Sequence, residues 1–82
     1  MYFVYALYSV EFDKIYIGYS SDPNRRLTSH NHQNNKHWTS KFQPWIIVYT
    51  EECDSKSLAM KREKQLKSYK GRRFIRELIA KE

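Results

Sequence analysis

The stretch from Phe3 to His30 constrains this chain more than any other. Tyr2 to Tyr8 is aromatic and β-branched apart from Ala6 and Leu7 and holds no breaker, so it reads as a strand. Ser9 to Asp13 is turn-like at its ends, and Lys14 to Tyr19 supplies a second strand, most simply the partner in a hairpin. Alternation puts Phe3, Tyr5 and Leu7 on one face of the first strand and Lys14, Tyr16 and Gly18 on one face of the second. Gly18 is one of only two glycines in the chain. A glycine inside a strand weakens it unless something must come close, and here it is expected to make room beside Tyr16. Ser21-Asp22-Pro23-Asn24 then starts a helix, with Asp22 as N-cap and Pro23 at the first helical position, where its missing donor costs nothing. The helix is expected to reach His30 or Asn31. Arg26 and His30 stand four apart on it and so share a face, while Leu27 anchors it inward. Two phenols, a guanidinium and an imidazole thus converge on a patch suited to a phosphate.

The rest of the chain reads as support. Asn31 to Gln43 is polar and long for a connection, of the kind that is either mobile or functional. His32, Lys36, His37 and Lys41 are available there for a phosphate backbone, with a plain solvated loop at least as well supported. Pro44 introduces Trp45 to Thr50, a continuous apolar run expected to be a third strand covered on both faces. A helix capped by Asp54 or Ser55 follows, with Leu58, Ala59, Leu66 and Tyr69 at helical spacing and Arg62 inside the stripe. Glu63 falls at the stripe's edge, about 40° round from Ala59. Its carboxylate can run along the sheet surface or simply pair with Lys67 one turn on. Gly71 is expected to break the pattern, and Arg72 to Lys81 to form a last helix with Phe74, Ile75, Leu78 and Ile79 inward.

Composition narrows the partner. A chain of 82 residues is expected to form one domain. Lys and Arg number 15 against 9 Asp and Glu, a formal charge of +6, with seven tyrosines. That balance points to an anionic partner, nucleic acid before membrane, with a solvated basic surface as the bland alternative. Cys53 is the single cysteine, so no disulfide within the chain and no cysteine-based zinc site can form. No apolar run approaches the ~20 residues of a membrane span, and the N-terminus lacks the flank and length of a signal peptide, so a cytoplasmic location is expected.

A phenol is a poor base at its ordinary pKa of about 10, but neighbouring cations favour its phenolate, and a hydrogen-bonded phenol can orient an attacking water. Two tyrosines beside an arginine therefore suit phosphodiester hydrolysis. Arg26 would meet the charge building on the phosphate oxygens, and Glu63 would hold one Mg²⁺, a hard cation that keeps most of its waters. Singly, each residue has a duller reading: Tyr5 and Tyr16 as cross-strand partners, Arg26 as a surface charge, His30 as a helix-end residue favoured by the dipole. The set and its spacing shift the balance.

Phe3-Val4-Tyr5, Tyr16-Ile17-Gly18, Arg26, His30 and Glu63, in that order, resemble the GIY-YIG nuclease superfamily. The chain is most similar to its small stand-alone members, close to the UvrC N-terminal nuclease domain and the URI-type proteins. The likeness runs from Tyr2 to about Ile79 and is carried by Lys14 to Ser20, Asp22 to Arg26, Leu58 to Lys67 and Lys70-Gly71-Arg72. It implies an α+β fold, a three-stranded antiparallel sheet flanked by three to four helices. It also implies a DNA endonuclease dependent on Mg²⁺ or Mn²⁺, serving repair or recombination. Tyr16 or Tyr5 would activate water, Arg26 stabilise the transition state, Glu63 bind the metal, and His30 carry a proton or touch phosphate. Lys14, Arg25, Lys36, Lys41, Lys67, Lys70 and Arg72 are the expected DNA contacts, mainly to phosphates, with any specificity left to a protein partner or a second copy of the chain. Two features depart from the family pattern: Phe3 and Val4 replace Gly and Ile, and Tyr19 stands where some relatives carry a lysine. The competing readings are a nucleic-acid-binding module of the same fold that cleaves little, and a protein-interaction domain whose basic face takes acidic partners.

Overall fold

The structure, a computed structural model, describes residues 1–32 and 38–81. Lys36 and His37 lie outside those residues. Strand β1 (Tyr2–Ser9) pairs antiparallel with β2 (Lys14–Ser20) on one side and with β3 (Ile46–Cys53) on the other, giving the order β2-β1-β3. The central strand is therefore the aromatic and aliphatic one. Val4, Ala6 and Leu7 are fully buried, while the edge strands carry the charges.

The alternation of β1 divides the core. Val4 and Ala6 join Ile15, Ile17, Cys53, Ala59, Leu66 and Ile75 in a cluster beneath α2 (Lys56–Lys67) and α3 (Tyr69–Ala80). Tyr5 and Leu7 face the other way, onto Trp45, with Tyr16, Leu27, Phe42 and Ile47 packed round them. Leu27 brings α1 (Pro23–His30) to that second face. Among the described residues the result is a three-stranded antiparallel sheet with three α-helices, an α+β fold as expected.

Side-chain caps set the helix ends. Asp22 accepts from the Arg25 amide at 3.1 Å with Pro23 at the first helical position, and Ser55, not Asp54, caps α2. The break between the last two helices falls at Ser68, which ends α2 and caps α3, accepting from the Gly71 amide at 3.2 Å. Gly71 is thus inside α3 and not the breaker the sequence suggests. An added Cβ there would lie 2.4 Å from the Leu66 Cα, so glycine is required by the close approach of the two helices.

Other expectations need correction. Leu58 and Tyr69 are 50% and 80% exposed and do not belong to a buried stripe; Ala59 and Leu66 alone carry the inward face of α2. Arg62 reaches Glu51 at 2.9 Å, which explains a cation inside that stripe. Phe74 is exposed on one side and makes an edge contact with Tyr49 at 5.5 Å. Strand β3 meets both clusters, through Val48 and Tyr49 on one and Ile47 on the other, but as an edge strand it stays half-buried. The polar connection is also more structured than its composition suggests, because Trp38–Phe42 forms a 3-10 helix. Asn31 fastens the entry to β3, donating to the Trp45 carbonyl at 3.0 Å and accepting from its amide at 2.7 Å. Among the described residues, no helix is long and apolar enough to cross a membrane.

Candidate active site

The register of the hairpin builds the floor of the site. Tyr5 stands opposite Gly18, and Tyr16 opposite Leu7, so the two phenols are diagonal neighbours on one face with ring centroids 6.3 Å apart. A Cβ on Gly18 would fall 2.7 Å from the Tyr5 hydroxyl and 3.0 Å from a carbon of the Tyr16 ring. The room that glycine leaves serves Tyr5 first and Tyr16 second.

Helix α1 and the 3-10 helix supply the wall. His30, buried on the last turn of α1, places its Nε2 3.3 Å from the Tyr5 hydroxyl and its Nδ1 2.9 Å from Thr39 Oγ1, with its ring 4.5 Å from that of Tyr16. Trp45 secures the far end, donating from Nε1 to the Thr39 carbonyl at 2.8 Å. Tyr16 lies against Tyr5, their ring centroids 6.3 Å apart. Thr39, His30 and Tyr5 therefore form a hydrogen-bonded polar chain that ends beside the Tyr16 ring at the cleft. The sequence offered His30 and the tyrosines, but nothing in it separates Thr39 from its polar neighbours.

Tyr5, Tyr16, Arg26, His30 and Glu63 all line one cleft of about 650 Å³. Glu63 comes from α2, whose inward side chains belong to the opposite layer; β2 is an edge strand, which lets the carboxylate reach past it. The pairing with Lys67 is present, Glu63 Oε1 lying 3.5 Å from Lys67 Nζ, and the same carboxylate residue lines the cleft. Arg26 is exposed and has no ion-pair partner among the described residues, whereas Arg62, Arg73 and Arg76 are each bound to a carboxylate. A guanidinium held at a cleft without an anion is available to one from outside. Lys56, on the first turn of α2, lines the same cleft beside Tyr19 and Ser20, and the sequence reading passed it over.

Electrostatics corrects the expectation that cations hold a phenolate here. Burial pushes the Tyr5 phenol far above its usual range, and Tyr16 adds to the rise while Arg26 opposes it. Burial likewise raises Tyr16, with Glu63 second, against the opposing pull of Arg26. Both groups rest as neutral phenols at pH 7.

Among the described residues no three His, Cys, Asp or Glu side chains gather into a metal cage, and Glu63 is the one carboxylate of the cleft lining. Such a donor set does not suit Zn²⁺, which takes three or four protein ligands. It does suit a hard divalent cation that keeps its waters and shares substrate oxygens.

The remaining cations scatter. Lys14, Lys67 and Arg72 line a second groove that shares Tyr16 and Trp38 with the cleft. Arg25 and Lys41 are exposed elsewhere, Lys70 lines a shallow hollow with Arg62 and Phe74, and Lys36 is outside the described residues.

The GIY-YIG catalytic domain family matches residues 1–75 of this chain. UPF0213 proteins of Staphylococcus aureus strains Mu3, Mu50 and N315 are each 36% identical to it over 62 residues, which cover 76% of this chain and 76% of theirs. No solved structure gives a significant match. With the hairpin tyrosines, Arg26 and Glu63 standing in family order round one cleft, the chain belongs to the GIY-YIG family, whose catalytic domains are those of nucleases.

Proposed function

We propose that this cleft hydrolyses phosphodiester bonds of DNA with the help of one divalent cation, Mg²⁺ or Mn²⁺, at Glu63. The observation that carries the reading is the convergence on a single cleft of two adjacent phenols, a single carboxylate and a guanidinium with no ion-pair partner among the described residues. A bound cation would supply positive charge against the phosphate oxygens.

The polar chain suggests where the proton goes. Water attacks phosphorus and gives its proton to the Tyr16 oxygen. The Tyr16 proton passes to the Tyr5 oxygen, and the Tyr5 proton to His30 Nε2, while Nδ1–H remains on Thr39 Oγ1. Imidazole can hold a proton near neutrality, which a phenol raised by burial cannot release unaided. The new P–O bond forms as the ester P–O bond breaks, and the leaving alkoxide takes a proton from solvent. Arg26, and from the other side Lys56, would meet the charge on the non-bridging oxygens.

Nicked, branched and single-stranded DNA incubated with Mg²⁺ or Mn²⁺ tests this. Cleavage by the wild-type chain, lost in Glu63→Ala and Arg26→Ala, is expected. Binding without cleavage by the wild type would leave a nucleic-acid-binding module in its place.

A further inference from the structure

Beside the cleft runs a groove of about 420 Å³ lined by Lys14, Lys67, Arg72 and Arg76, together with Tyr16, Trp38 and three hairpin residues. Tyr16 and Trp38 also line the cleft, so the two hollows meet across these rings. Arg76 is committed to Asp13 at 2.8 Å, and Lys67 is shared with Glu63. Lys14 and Arg72 have no carboxylate partner among the described residues. Trp38 is 48% exposed, yet it is held by Phe42 at 4.8 Å and Trp45 at 5.9 Å between ring centroids. Trp45 is fully buried, so the exposed indole stands on a fixed base. Phe12, 43% exposed, extends the same aromatic ladder through Phe42, and Lys14 lies over the Phe42 ring at 5.5 Å. Cations that follow a backbone, interleaved with a half-exposed rigid ring, are what a single strand requires. A paired base inside a duplex has both faces covered by its neighbours and offers nothing for an indole to stack on.

We propose that this groove seats a single-stranded DNA segment whose base stacks on Trp38, so that the substrate is a strand unpaired next to the bond in the cleft. The inference rests on the phosphodiester reading of the cleft and adds the form of DNA it takes. Lys14 and Arg72 hold the phosphates of that segment, and Trp38 supplies the preference for an unpaired base.

The test is a fluorescence-anisotropy titration in EDTA, where no cleavage interferes, with oligo(dT) and a blunt hairpin duplex of equal phosphate number. The wild type is expected to bind the strand more tightly than the duplex. Trp38→Ala should lose about tenfold on the strand and little on the duplex, and Trp38→Phe should recover most of the loss. Unchanged duplex affinity doubles as the check that Trp38→Ala still folds. Lys14→Ala combined with Arg72→Ala should weaken strand binding and lower the slope of log affinity on log salt by about 1.4. Equal affinity for the two forms, or a Trp38→Ala loss that is absent or the same on both, overturns the proposal. Adding Mg²⁺ afterwards separates the two claims. A chain that prefers the strand but cuts nothing keeps this groove and loses the nuclease reading, and one that cuts without preference does the reverse.

Discussion

A methyl group at Gly18 would occupy the space of the Tyr5 phenol, which has nowhere else to go between β2 and the core. Gly18→Ala is therefore expected to cost about 1–3 kcal/mol of stability through overpacking. It should also cut the cleavage rate well beyond any effect on folding, since it displaces the phenol that meets His30 Nε2. A variant with a lowered unfolding midpoint but an unchanged rate would place Tyr5 outside the chemistry. His30 gives a second residue-scale expectation. If it takes the proton, its neutral form is the working one, and kcat/KM rises with pH until that form is complete and then levels off. In His30→Gln the rise should move to alkaline pH, because both phenols are held above their usual range by burial. A pH profile identical to wild type would remove His30 from the relay. At this scale the sequence was informative where backbone register alone settles geometry. The shared face of Tyr16 and Gly18 follows from strand alternation, the pairing of Gly18 with Tyr5 needed the hairpin register, and Thr39 and Lys56 reach the cleft only through tertiary packing.

At the scale of elements, the junction of α2 and α3 is the informative one. Exposed glycine inside a helix normally gains about 1 kcal/mol when replaced by alanine. At Gly71 the sign reverses, since the new Cβ would meet backbone of Leu66 and Gln65 at 2.4 and 2.5 Å. Thermal unfolding of Gly71→Ala should show a midpoint several degrees below wild type, at about 4–8 °C per kcal/mol for a domain this small. A higher midpoint would mean that the helices are less closely apposed. The same junction shows why element limits were hard to read. A serine that caps one helix while ending another leaves no polar gap, and the glycine two residues into the next helix looks like a terminator. The strands were more legible than the helices because β1 is buried on both faces and its composition says so, while α2 turns only Ala59 and Leu66 inward.

For the whole molecule, one contact ties the ends together. Asp13 at the hairpin tip, with φ of 52°, accepts from Arg76 of α3 and from Tyr8, each at 2.8 Å. These hydrogen bonds hold its carboxyl below the usual range. A carboxyl lowered on folding adds stability above its ordinary pKa, and that stability is lost as pH falls through the folded value. Arg76→Ala should therefore flatten the acid limb of unfolding midpoint against pH, while Arg73→Ala, which breaks an exposed pair within one helix, should not. An equally steep acid limb in Arg76→Ala would place the acid-sensitive link elsewhere. Long-range pairs such as this one, and the Glu51–Arg62 pair, have no signature in a single sequence. The order of Tyr5, Tyr16, Arg26 and Glu63 along the chain does, and these four line one cleft.

The claim that these residues work as one unit on one phosphodiester is met most directly by single-turnover cleavage of a labelled strand. The rates to compare are those of wild type, Arg26→Ala, Glu63→Gln and the double variant. Each single substitution is expected to slow cleavage by about 100-fold or more, and the double variant by far less than the product of the two. Single variants that cut as fast as wild type, or losses that simply multiply, would contradict it.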